Sequence, residues 1–248
     1  MSGMHFERMA AEYARARPPY PPPLYEALSE AGVIGPGRRV LEVGAGAGLA
    51  TRELARRGCE VVALEPGPEL ASLARRSVPD ATVIEQRLED ADLPEHSFDS
   101  AVAATSLHWV DLTVGLPALH AALRPGGWLG VWRTSFGPED VVTDFRVRVG
   151  EIVARRDPAG AGAPRPPERP TMEELAAGGW FEPVHTERWR WTIDLDTDQV
   201  RSLFRSFSDW TPAEAEEAAR AVDELGGQVT EHYRSVLHLL RRTPSSDG

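Results

Sequence analysis

Gly44, Gly46 and Gly48 fall where the apolar run VLEV meets the helix-like stretch LATRELARR. Glycines at such a junction allow a tight backbone and close approach of a bulky ligand, and the first amides of the helix supply donors. No Gly-Lys-Ser/Thr follows, which excludes a phosphate-gripping ATPase loop. The dinucleotide pattern wants glycine or alanine where this chain has Leu49. Glu65 closes the next apolar run, VVALE. A carboxylate there can accept hydrogen bonds from both hydroxyls of a ribose. Turn and carboxylate together point to a nucleoside, and at this stage a nicotinamide dinucleotide stays open.

His108 is the best candidate for a proton acceptor. It lies in SLHWVD, just past an apolar run, and an ordinary imidazole accepts a proton at cellular pH. A structural or substrate-positioning role competes with that one. Trp109 is a candidate pocket wall, and Asp111 a candidate helix cap. His5, His96, His120, His185, His232 and His238 form no ligand spacing with His108, nor do the carboxylates, so no metal is expected. Cys59 is the single cysteine and reads as a buried small side chain. Trp180, Trp189, Trp191 and Trp210 offer an aromatic wall for an apolar or aromatic small molecule.

The formal net charge of -11 argues against broad binding to a phosphate backbone. No stretch has the length of a membrane span or the apolar core of an export signal. The expected setting is therefore cytoplasmic, with no nucleic-acid or membrane partner; the oligomeric state is not fixed by the residues. With 248 residues, 42% hydrophobic and 26% charged, a single globular domain is expected over 1–248.

These side chains need a scaffold of alternating strands and helices. Strands are expected at 39–43, in CEVVALE, DATVIEQ and SFDSAVAA, and at 128–133. Helices are expected at 24–31, 49–57, in PELASLARRS and at 117–123. Short, valine-rich strands of this kind suit a parallel sheet covered on both faces, whose C-terminal strand ends share one ligand-binding edge. Residues 6–17 have helix-forming character. Later come a helix over 141–155, a proline-rich connection in DPAGAGAPRPPERP, a capped helix at TMEELAAGG with Thr171 and Glu174, strand-like HTERWRWTIDL, and two helices in TDQVRSLFRSF and TPAEAEEAARAVDEL. HYRSVLHLLRR fits either periodicity and is placed as a last edge or neighbouring strand.

VLEVGAGAG, VVALEPG, RLEDADLPEHSFDSAVAATSLHWVD and LRPGGWLGVW, in that order, resemble the class I S-adenosylmethionine-dependent methyltransferases. FERMAAEYARARPPYP is similar to the opening of small-molecule members. The resemblance implies a Rossmann-like α/β fold: a central, mostly parallel sheet with helices on both faces. It makes 38–133 the cofactor-binding core and 136–210 a variable, substrate-facing region. It implies S-adenosyl-L-methionine as cofactor and a small-molecule methyl acceptor. Gly44, Ala45 and Gly46 would surround the methionine portion, and Glu42 would orient its ammonium. Glu65 would hold the ribose, with Pro66 packed beside the sugar or adenine. Leu88 and Glu89 fall in the adenine-binding segment, Thr105 and Ser106 at the mouth, and Tyr20 over the cofactor. QRLE departs from the small or acidic residues often found in the adenine segment. Two rivals, an NAD-dependent oxidoreductase and a non-catalytic nucleoside-binding protein, explain the turn but not the full order of segments.

Overall fold

Alternation of side chains along the first strand decides how the layers form. In β1 (Arg39–Val43), Val40 joins one apolar cluster while Leu41 and Val43 join another. Successive strand residues point to opposite faces, so these clusters cover the two sides of one sheet. The computed structural model describes residues 16–138, 140–156, 168–207 and 209–244. The expected helix at 6–17 therefore falls outside the described residues up to 15, and so does 157–167 of the proline-rich connection.

On the Val40 side lie α1 (Pro22–Glu30), α2 (Leu49–Arg56) and α3 (Pro68–Ser77). Leu24, Leu28, Ala50, Leu54, Ala71 and Ala74 are the buried faces of those helices. On the Leu41 side lie α4 (Leu112–Ala122) and the short α6 (Met172–Ala176), which contribute Leu116, Leu119 and Leu175. The other strands are β2 (Glu60–Leu64), β3 (Thr82–Ile84), β4 (Phe98–Ala104), β5 (Leu123–Phe136), β6 (Phe181–Asp196) and β7 (Gln228–Arg242). The sheet has seven strands in the order β3-β2-β1-β4-β5-β7-β6. The pairings from β3 through β5 are parallel.

β7 runs against its neighbours. Arg241 bonds the Gly126 carbonyl while Ser235 bonds Thr134, and on the other side His238 bonds Thr186 while Thr230 bonds Asp194. Partner numbers fall as those of β7 rise, which is the antiparallel sense. The sheet is thus mixed and mostly parallel, with helices on both faces. This is the Rossmann-like architecture expected of the class I methyltransferase fold.

Several elements extend beyond their expected bounds, and two of them show why. The helix expected at 117–123 starts at Leu112, because Asp111 caps it by accepting the Thr113 amide at 2.9 Å. Pro117 then lies inside the helix rather than at its start, at the cost of one backbone hydrogen bond. The strand expected at 128–133 runs from Leu123 to Phe136 and takes Pro125, Gly126 and Gly127 into its span. Phe98 pairs with Leu123 and Ser100 with Trp128, so residues 124–127 bulge opposite Asp99 alone. The final strand, expected at an edge or beside one, lies between β5 and β6, and β6 takes the edge.

The described residues divide into two compact units. Of these residues, one unit comprises 20–134, 168–189 and 235–244; the other comprises 16–19, 135–138, 140–156, 190–207 and 209–234. The second unit has its own core, built by α5 (Asp144–Arg156), α7 (Thr197–Arg205) and α8 (Pro212–Glu224). Phe145, Ile152, Phe204, Trp210 and Val222 pack within it. Arg146 and Glu231 make a buried ion pair there, with the guanidinium 4.6 Å from the centre of the Phe136 ring.

Candidate functional site

The turn after β1 is built from residues that only glycine replaces without strain. Gly44, Gly46 and Gly48 have φ of 73°, 57° and 87°, the left-handed region that side chains disfavour. A Cβ on Gly44 would stand 2.5 Å from the Ser106 Cβ. Ser106, just past β4, donates its hydroxyl to the Val43 carbonyl and so ties the ends of β1 and β4 together. The Gly44 and Ala45 amides both donate to the Leu64 carbonyl, at 2.8 and 3.0 Å, which draws the turn towards the end of β2.

Glu65 follows directly and is 6% exposed. Its Oε2 accepts the Gly46 amide at 2.8 Å and its Oε1 the Gly67 amide at 2.9 Å. Each carboxylate oxygen carries two lone pairs. The two amide bonds, one to each oxygen, hold the carboxylate in place. Pro66 lies between the two amide donors in sequence and is exposed.

Glu42 is fully buried on β1, between Ala63 and Val102 on the neighbouring strands. Neither of its carboxylate oxygens has a hydrogen-bond partner. Burial pushes its carboxyl up to about 7, and the nearby Glu65 charge pushes the same way. Thr51, in the first turn of α2, pulls in the opposite direction without reaching hydrogen-bond geometry, and its own hydroxyl is also unpartnered. A buried ionisable group left this way is costly, and such groups gather at functional sites.

Thr105 takes φ 58°, a left-handed conformation unusual for a branched residue. Its amide donates to the Trp132 carbonyl at 2.8 Å, and the Tyr20 hydroxyl donates to Ala104 O at 3.3 Å and Thr105 Oγ1 at 3.4 Å. Tyr20 thus sits at the end of β4, its ring edge-on to Trp132 at 5.7 Å. Leu88 is buried, whereas Glu89 pairs with Arg87 at 3.0 Å and accepts the Asp111 amide at 3.1 Å. The Glu89 carboxylate is therefore already engaged within the protein.

His108 and Trp109 share a 3-10 turn after β4, with ring centres 4.8 Å apart. Trp109 is 56% exposed. Burial, and then the Arg133 charge, lower the His108 imidazole to about 4. His108 is therefore neutral near pH 7, with its proton-accepting nitrogen available but weakly basic. Asp111 serves as the cap of α4 and also accepts the Thr113 hydroxyl at 2.7 Å.

The turn, Glu42, Glu65, Thr105, Ser106 and Tyr20 thus gather at the ends of β1, β2 and β4. Thr51, Gly67 and Arg133 were not singled out from the sequence, although each acts on a residue that was. The four tryptophans are dispersed. Trp189 packs on the core of its unit, and Trp180 lies 5.2 Å from His120. Trp210 is 4.4 Å from Phe204, and Trp191 stacks on Tyr233 at 4.5 Å. Trp191 alone of the four borders a cleft of about 210 Å³ in the second unit, together with Val141, Arg190, His232 and Tyr233. Among the described residues no group of three or more His, Cys, Asp or Glu could hold a metal ion; His5 lies outside them. His96, His120 and His238 each bond a separate partner: Leu123 O, Thr243 O and the Thr186 hydroxyl. Cys59 is buried, as its packing role requires, and Gly35 donates its amide to the sulfur at 3.4 Å.

Sheet order and glycine turn are those of the Rossmann-like class I methyltransferase fold. A family profile described as a methyltransferase domain matches residues 41–131. An uncharacterized methyltransferase of Mycobacterium tuberculosis is 31% identical over 231 residues, covering 92% of this chain and 87% of the relative. The chain belongs to the class I S-adenosylmethionine-dependent methyltransferase family. Among solved structures, the YcgJ protein of Bacillus subtilis has a TM-score of 0.56 at 18% identity, covering 90% of this chain and 98% of that one. Geranyl diphosphate methyltransferase in complex with S-adenosylmethionine has a TM-score of 0.51 at 17% identity, covering 89% and 84%. These two likenesses concern the fold.

Proposed function

We propose that the protein transfers a methyl group from S-adenosylmethionine to a small organic acceptor. The observation that carries this reading is the Glu65 carboxylate, locked by the Gly46 and Gly67 amides at the end of β2. It is accompanied by the unpartnered, buried Glu42 on the adjacent strand. A cradle with one carboxylate fixed to accept hydroxyls and another lacking a donor suits a ligand that carries a ribose and an ammonium. Glu65 would accept from the ribose, with Pro66 beside the sugar or adenine. Gly44, Ala45 and Gly46 would pass the methionine portion, and Glu42 would face its ammonium. Leu88 would pack against adenine. Glu89, held by Arg87 and Asp111, would shape that segment through its backbone. Tyr20, Thr105 and Ser106 would frame the mouth.

The cofactor supplies a methyl group on a positively charged sulfur, open to in-line attack. What the chain must add is alignment and exclusion of water, which can account for much of the acceleration. His108 stays uncharged at neutral pH and would either take a proton from the acceptor or position it, with Trp109 as pocket wall. Geranyl diphosphate methyltransferase, named for a small organic acceptor, has the same fold, and the net charge of -11 agrees with a substrate other than nucleic acid. A cytoplasmic setting belongs to this reading: with one cysteine the chain closes no internal disulfide.

The deciding experiment incubates the protein with methyl-labelled S-adenosylmethionine and a library of small hydroxyl, carboxyl, amine and activated-carbon compounds. Label should enter a product whose mass rises by one methylene, and fragmentation then locates the accepting atom. Calorimetry gives the complementary result: binding of NAD with no binding of S-adenosylmethionine would overturn the cofactor assignment.

A further inference from the structure

The cleft of about 210 Å³ in the second unit is framed by β6, β7 and the loop that follows β5. Antiparallel register decides which side chains meet there. Thr230 bonds Asp194 and Tyr233 stacks on Trp191, so the same register sets His232 opposite Thr192 and Arg234 opposite Arg190. Residues two apart on a strand share a face, which puts Arg190, Thr192, His232 and Arg234 on one face. Two arginines opposed across a pair of strands repel each other, and an anion beside them relieves that repulsion.

The loop supplies such an anion from within the chain. The Gly137 amide donates to the His232 carbonyl at 2.9 Å and ties the loop to β7. Asp140 then reaches Arg190, with Oδ2 2.6 Å from Nη1. Arg190 first, and Arg234 after it, hold the Asp140 carboxyl below the usual carboxylate range. The Arg190 and Asp140 side chains are 62% and 56% exposed, and an exposed ion pair contributes little to stability. A second carboxylate can therefore exchange with Asp140 at small cost. Beside the pair, among the described residues, no hydrogen bond engages the Thr192 hydroxyl or the His232 ring. Pro138 and Val141 give the cleft an apolar side. A cationic end, a hydroxyl donor and an apolar wall match a carboxylate carried on a small carbon skeleton. The volume is below the roughly 300–1,000 Å³ of sites for drug-sized ligands, so the skeleton is about one ring in size.

We propose that this cleft binds a small organic carboxylate: its oxygens take the Arg190 guanidinium from Asp140 and accept the Thr192 hydroxyl, while its skeleton lies against Pro138 and Val141. Asp140 is then an internal stand-in that releases Arg190 to the ligand. The site stands on the second unit alone and goes beyond the methyl-transfer reading, so the two can fail separately.

The test titrates the full chain, without cofactor, with benzoate and follows the cleft signals by NMR. Benzoate should shift the Val141, Thr192 and His232 signals saturably. Neutral benzamide has the same shape without the charge and should bind about tenfold more weakly. Arg190→Gln should weaken benzoate binding by about tenfold. Asp140→Asn should do the opposite and strengthen it by about threefold, because the competing carboxylate is gone. Asp198→Asn removes the same charge from α7 and should leave benzoate affinity unchanged, which separates exchange at Arg190 from a change in net charge. No saturable shift, equal binding of benzamide, or equal or weaker benzoate binding in Asp140→Asn overturns the proposal. Inorganic phosphate shifting the same signals at lower concentration than benzoate would overturn the carboxylate assignment.

Discussion

The Glu65 carboxylate accepts the Gly46 amide at 2.8 Å, so the acidic end of β2 and the glycine turn after β1 are one rigid piece. The residue proposed to meet the ligand also fixes the loop that would surround it. Glu65→Ala removes the acceptor for two backbone amides, and buried amides left unsatisfied cost about 1–3 kcal/mol each at most. Two separable losses are expected: unfolding at lower denaturant, and S-adenosylmethionine affinity reduced by more than tenfold. Glu65→Gln keeps one acceptor oxygen and should recover part of the stability while still binding weakly. Wild-type affinity in both variants, measured by calorimetry, would remove Glu65 from the site.

The Gly44–Ser106 contact makes a second, independent prediction. Gly44→Ala meets both a positive φ and a Cβ-to-Cβ approach of 2.5 Å, and should cost about 2–4 kcal/mol by chemical denaturation. In a Ser106→Gly background the steric part disappears while the backbone part stays, so the added cost of the alanine should fall by roughly half. An equal cost in both backgrounds would mean that β1 and β4 do not interlock through this pair.

Most of what positions the site was legible because it is local or periodic. Glycines announce the turn, and the alternation in VLEV and VVALE announces strands with two covered faces. Thr171 and Glu174 announce their capping box, which forms with bonds of 2.8 and 3.2 Å. What was not legible depends on how one element is rotated over another. Thr51 bears on Glu42 only because α2 lies on the Val40 side of β1, and nothing in the spacing of the two residues sets that rotation. Arg133 lies on β5, far along the chain from His108, and its charge acts on the imidazole from that neighbouring strand. Asp111 is readable as a cap, but Pro117 also reads as a helix beginning, and the structure follows the cap. The tryptophans looked like one wall because composition carries no information on which cluster each one joins.

The state of His108 gives the last prediction. Burial first, then the Arg133 guanidinium, hold its imidazole at about 4, below the ordinary 6.5. The folded protein therefore binds this proton less readily than the unfolded chain. The contribution to stability is complete above pH 6.5 and declines as pH falls towards 4. For activity, protonation of His108 should produce no inflection between pH 6 and 8 in the ligand-free enzyme, unlike that of an unperturbed histidine. Arg133→Met removes the second cause and leaves the first, so the midpoint should rise but stay below 6.5, as read from the ring-proton shifts by NMR. His108→Asn should lower turnover while leaving S-adenosylmethionine affinity within about twofold, because the imidazole is assigned to the acceptor and not to the cofactor. A fall in cofactor affinity with unchanged turnover would reverse that assignment and move His108 to the cradle side of the site.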